Sequence, residues 1–102
     1  MADEDYERCR YSIICHTEYL PVVHCLRALC ELHVQGVPKP IGWGGTKASE
    51  WRSHHNQIWL RFTSSADREA FVADANRFLL AGSWTVVGRN DDDPAERQRR
   101  RQ

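Results

Sequence analysis

Cys30 and His33 stand three residues apart, and Cys15 is followed directly by His16. Thiolate and imidazole at such spacings could begin a zinc site, which needs three or four convergent ligands. Cys9 and Cys25 complete the four cysteines, and no C-x-x-C pair occurs, so neither a disulfide framework nor a zinc knuckle is indicated. Cys25 and Cys30 fall inside an apolar helical pattern and read as small buried hydrophobes. We expect no metal and no cofactor. A Cys/His regulator that responds to metal or thiol state is one function class these residues leave open. A Cys/His pair can also be a nucleophile and its base, but no nucleophile elbow and no convergent carboxylate pair is visible. The expectation is a protein that is not an enzyme, with no catalytic residues.

Gly42-Trp-Gly-Gly-Thr-Lys47 is the next candidate. A phosphate-cradling loop ends in Lys-Ser/Thr or sits between a strand and a helix. Here Thr46 precedes Lys47, the reverse order. The segment reads instead as a mobile loop carrying Trp43 and Trp51 as partner anchors. Further on, Gln57, Trp59 and Arg61 share one parity of an alternating stretch and form the third candidate surface. Exposed Trp beside Arg can anchor a protein interface or stack on a base. The basic run of Arg97, Arg99, Arg100 and Arg101 could add attraction for nucleic acid, offset by the acids before it.

The bulk numbers narrow the classes. The chain has 102 residues, enough for one domain with one core. Fourteen basic and 14 acidic side chains give a formal net charge of zero, which argues against a strongly basic nucleic-acid binder. No apolar run approaches the ~20 residues of a membrane helix. The start, Met-Ala-Asp-Glu-Asp, is acidic and lacks a signal's basic start and apolar run. The expected location is the cytoplasm, with reduced thiols and no membrane partner.

The elements that must position these residues follow from periodicity. Tyr11–His16 has strand composition, with Tyr11 and Ile13 inward and Ile14 outward. Thr17-Glu18 offers a helix start with Pro21 in the first turn, and Val22, Val23, Leu26, Leu29, Cys30, His33 and Val34 form its stripe. Gly36 should stop it in a left-handed conformation. Pro38 and Pro40 exclude a central strand, while Val37, Lys39, Ile41 and Trp43 alternate as an edge strand would. In Gln57–Phe62, Ile58, Leu60 and Phe62 face the core. Ser64 and Asp67 have capping-box spacing before a helix with Phe71, Val72, Ala75, Phe78 and Leu79 on its inner face. Trp84–Val87 reads as a last strand, closed by Gly88. The order is βαββαβ: an α+β, ferredoxin-like sandwich with an antiparallel sheet and two helices on one face. Residues 1–9 read as a flexible N-terminus, 10–89 as the domain, and 90–102 as a disordered charged tail.

The segment Ile58-Trp-Leu-Arg-Phe-Thr-Ser-Ser-Ala-Asp-Arg-Glu-Ala-Phe71 resembles the third strand and second helix of an RNA-recognition motif. The likeness spans residues 57–80. It implies bases stacked on outward aromatics of the sheet. Trp59 occupies one such position, the other falls on Gln57, and the first strand offers Ser12 or Ile14 where the family places an aromatic. The leading expectation is therefore a small non-catalytic binding module: an adaptor, inhibitor or accessory protein of bacterial or phage type. It would hold a protein partner through Gln57, Trp59, Arg61, Trp43 and Trp51. The alternative is single-stranded nucleic-acid binding through Trp59, Arg61 and the arginine tail. A homodimer through the open face or an edge is compatible with either.

Overall fold

The computed structural model describes residues 3–95. The elements are α1 (Asp3–Arg8), β1 (Tyr11–His16), α2 (Leu20–His33), α3 (Lys39–Trp43), α4 (Ala48–Ser53), β2 (Gln57–Phe62), α5 (Ser65–Phe78) and β3 (Thr85–Asn90). The class is α+β, with a three-stranded antiparallel sheet in the order β2-β1-β3. Both neighbours run antiparallel to β1, so β2 and β3 are parallel to each other across it. α5 is the crossover between them.

Alternation builds the sheet. Ile13 and Cys15 of β1, and Ile58, Leu60 and Phe62 of β2, are buried. In register, Ile13 pairs with Leu60 and Cys15 with Ile58. Val23, Leu26 and Cys30 of α2 and Phe71 and Ala75 of α5 close over that face. Removing one such large apolar side chain from water contributes about 1.5–3 kcal/mol. Phe62 and Phe71 meet with ring centroids 5.3 Å apart, and Trp84 reaches Phe71 edge-on at 6.4 Å. Phe78, expected in this core, is 64% exposed under Arg77. The inner stripe runs by steps of four from Phe71 through Ala75 to Leu79, which leaves Phe78 off the face.

The helix ends show which local signals operate. Ser64 caps α5 by accepting from the Asp67 backbone N–H at 3.1 Å. Pro21 sits in the first turn of α2. α2 is ended by Val34, which turns extended and buries its side chain. Gly36 is left-handed (φ 75°) but lies two residues beyond that cap.

Residues 37–53 depart most from expectation. No edge strand and no loop-borne Trp51 is found. Pro38 is the N-cap of α3 and Pro40 lies in its first turn, where a fixed φ and a missing N–H suit a helix start. α3 packs beside β2 through Gly42. A Cβ at Gly42 would lie 2.7 Å from the Arg61 carbonyl oxygen and collide with Val34 Cγ2. This glycine is thus required by close approach rather than by freedom in a loop. α4 then carries Trp51 into the core, where it is 6% exposed and its indole N–H donates to the Thr17 carbonyl at 3.0 Å. His55 (φ 59°) and Asn56 (φ 64°) make the left-handed turn into β2.

Both ends of the domain extend further than expected. Residues 3–8 form α1, and Arg8 Nη1 donates to the Gly36 carbonyl at 3.1 Å. β3 continues through Gly88 to Asn90, with a bulge opposite Ile14/Cys15. Beyond it each aspartate takes a different arginine. Asp91 binds Arg68 of α5 at 2.6 Å, Asp92 binds Arg10 at 3.0 Å, and Asp93 binds Arg61 of β2 at 3.2 Å. The acidic run that reads as a solvated tail is, through residue 95, a clasp over one end of the sheet. Glu96, Arg97, Arg99, Arg100 and Arg101 lie outside the described residues.

Two measurements probe this frame. Gly42→Ala should destabilise by about 1–3 kcal/mol, because overpacking against backbone outweighs the better helix propensity of Ala. Gly44→Ala, whose Cβ would meet only the Pro40 carbonyl at 3.3 Å, should change stability far less; denaturant midpoints compare the two. Glu69 accepts from Arg89 at 2.9 Å through both oxygens and from Arg68 at 2.8 Å. The Arg89 hydrogen bonds, then Arg68, hold its carboxyl below its ordinary pKa against some desolvation. A depressed folded pKa stabilises above the unfolded value and is lost as pH falls through the folded one. Glu69→Gln should therefore cost up to about 1 kcal/mol at neutral pH, discounted for solvent screening of a half-exposed pair, and the difference should vanish in acid.

Candidate functional site

Two surfaces gather the residues singled out by the sequence. The first is the sheet face opposite the helices. Gln57, Trp59 and Arg61 of β2 point there, beside His16, Ile14 and Ser12 of β1 in register. Gly88 of β3 lies opposite Ile14, and a Cβ on it would meet Ile14 Cδ1 at 3.9 Å. At the bulge Val86 packs toward the core, whereas Val87 is 51% exposed. Trp59 and Ile14, opposite each other in register, thus make an apolar centre, and Val87 lies exposed at the bulge. Trp59 is half-buried, with the His54 ring against it edge-on at 5.6 Å.

Polar groups bound this centre at both ends. At one end Glu18 binds His16 Nε2 at 2.9 Å and accepts from Asn56 Nδ2 at 3.3 Å. At the other, Arg61 is committed. Its Nε donates to the Asp93 carbonyl at 2.8 Å and its Nη2 to both Asp93 carboxylate oxygens at 3.2 Å. Arg61 is therefore neutralised within the chain, which removes the cation expected beside Trp59.

The second surface is a cavity of about 430 Å³ at the β2 edge, lined by residues that include Tyr6, Arg27, Trp43, Lys47, Glu50 and Arg61. It brings together Trp43 and Arg61, which are distant in sequence. Trp51 is not part of it. Sequence reasoning missed Arg27, which sits on α2 and reads as an ordinary polar-face residue. In space its guanidinium lies 4.8 Å from the Trp43 ring centre. Its Nε donates to Thr46 Oγ1 at 3.1 Å and its Nη2 to the Thr46 carbonyl at 2.9 Å. Tyr6 was missed because α1 reads as a loose polar end.

The cysteines and histidines do not converge. Cys9, Cys15 and Cys30 are fully buried. Burial pushes the Cys9 thiol up to about 11 and Cys15 to about 12, and raises Cys30 well above its ordinary value. His33 instead pairs with Asp74, Nε2 to Oδ2 at 2.7 Å. Among the described residues, no group of three or more His, Cys, Asp or Glu is placed to hold a metal ion. No helix among them is long and apolar enough to cross a membrane.

Cys25, expected to be buried, is exposed on α2. A thiol reagent at neutral pH should label Cys25 in the native protein and all four cysteines after denaturation, read as adduct mass; rapid native labelling of any other thiol contradicts the burial. No family model, no curated protein and no solved structure matches this chain.

Proposed function

We propose that the chain is a small non-catalytic binding module, of adaptor, inhibitor or accessory type, that holds a protein partner on the outer sheet face around Trp59. The observation that carries this reading is the half-buried Trp59 set in register against Ile14, on the sheet face opposite the core that α2 and α5 close. Tryptophan brings large, rigid contact area and is enriched at interface hot spots, while a polar rim sets register. His16, Glu18, Gln57 and Asn56 supply such a rim.

In fold terms we read the domain as a ferredoxin-like sandwich in which α3 and α4 stand where the second strand would run. The parallel placement of β2 and β3 about β1, with α5 crossing between them, supports this. The likeness to an RNA-recognition motif lends the architecture but no stacking pair. Trp59 faces Ile14 rather than a second aromatic, and Arg61 is held by Asp93. With zero net charge as well, a protein partner is favoured over single-stranded nucleic acid.

The test is affinity capture from the native host with wild-type and Trp59→Ala baits, alongside thermal melts of both. Capture of a defined partner by wild type, lost in Trp59→Ala with a stability change of about 1 kcal/mol or less, supports the reading. Identical capture by both baits sinks it. So does salt-sensitive binding of a single-stranded oligonucleotide that depends on Trp59.

A further inference from the structure

The cavity at the β2 edge shares Arg61 with the rim of the outer sheet face but has its own chemistry. Its volume of about 430 Å³ lies in the range of small-molecule sites. Arg27 is the first unusual group in it. The guanidinium is fixed by Thr46 and by the Trp43 ring, all neutral partners. Among the described residues no carboxylate pairs with it, and its Nη1 makes no hydrogen bond. A half-buried cation held without a counter-ion is arranged to meet one, since its field is less screened than at the surface.

Trp43 is the second. Its Nε1–H is buried and has no acceptor among the described residues. Orphaned buried donors are rare in folded proteins and call for an explanation. The walls are the third observation. Tyr6 and Trp43 give flat apolar surface, and Lys47 adds positive charge, while Arg61 enters the lining already paired with Asp93. Counting Glu50 in the lining and Asp93 on Arg61, three cations stand against two acids, leaving one positive charge in excess.

We propose that this cavity binds a small anion attached to a flat ring, a carboxylate or phosphate on an aromatic or nucleobase-sized group. The anion pairs with Arg27 Nη1, and the ring stacks against the aromatic walls or the guanidinium plane. The Trp43 N–H is closed off from solvent, so it reaches the ligand only if the segment after it shifts. Gly44 and Gly45 (φ 83°) lie at that point, and no atom comes nearer than 3.7 Å to a Cβ placed on Gly45.

The probes are phenyl phosphate, benzoate, inorganic phosphate and benzyl alcohol, titrated into isotope-labelled full-length protein while backbone amides and the Trp43 indole N–H are followed. Phenyl phosphate or benzoate should shift residues 42–47 and the indole N–H at millimolar concentration, and the tighter of the two assigns phosphate or carboxylate. Inorganic phosphate and benzyl alcohol should each bind at least tenfold more weakly. Arg27→Gln should weaken the ring-bearing anion at least tenfold, Trp43→Phe severalfold, and Arg77→Ala on α5 not at all. If Arg27→Gln does not fold, Arg27→Lys keeps the charge, loses the planar fork, and should still weaken binding at least threefold. The proposal is overturned if neither ring-bearing anion shifts residues 42–47, if inorganic phosphate binds as well as phenyl phosphate, or if the folded Arg27 variant binds as tightly as wild type.

Discussion

Thr17 joins four segments. Its N–H donates to the Asn56 carbonyl at 3.2 Å, its carbonyl accepts from the Trp51 indole at 3.0 Å, and its hydroxyl donates to the Ser83 carbonyl at 2.7 Å. The same hydroxyl accepts from the Tyr19 N–H at 3.2 Å, which sets the turn into α2. The residue is 1% exposed, so each of these polar groups must be satisfied inside the protein. Through it the end of β1 fixes the start of α2, the depth of Trp51, the entry to β2 and the approach to β3. An aliphatic residue of the same shape would leave the Ser83 carbonyl and Tyr19 N–H unanswered.

The opposite end of β1 is held by charge rather than by one hydroxyl. Arg68 is 5% exposed, and its Nη1 lies 3.4 Å from both the Ser12 and Asn90 carbonyls while binding Asp91. A guanidinium so deep in the protein is tolerable because it is paired and multiply hydrogen-bonded. The clasp of Asp91, Asp92 and Asp93 also changes the outer sheet face. By taking Arg61, it turns the outer sheet face from a basic-aromatic strip into an apolar centre with a polar rim. It also brings Ala95 to the cavity, where its N–H reaches the Tyr6 and Cys9 carbonyls at 3.2 and 3.0 Å.

Much of the frame was legible in the residues. β1, β2 and α5 are marked by strict local periods and by the Ser64 cap, and they form where those signals lie. Residues 37–53 were not, because alternation broken by two prolines fits an edge strand and a helix start equally well. Only contact with β2 at Gly42 and with Thr17 at Trp51 decides between them. The aspartate run looked solvated because its partners are 23, 82 and 32 residues away. The outward set of β2 was readable by parity, yet the state of Arg61 was not, since that depends on Asp93. Arg27 carries no sequence signal, and its importance comes from the distant residues around it.

The strand order has a kinetic meaning as well. β1 lies at the centre of the sheet, yet neither neighbour is close in the chain: β2 begins at residue 57 and β3 at residue 85. The central strand is made first and must wait for both of its partners. Until β2 arrives, Ile13 and Cys15 can be covered only by α2, and both edges of β1 stay open. Closing such distant pairs is slow, and an unpaired apolar strand is a template for other chains. Aggregation during folding should therefore trace to β1, the element that looks most secure in the finished protein.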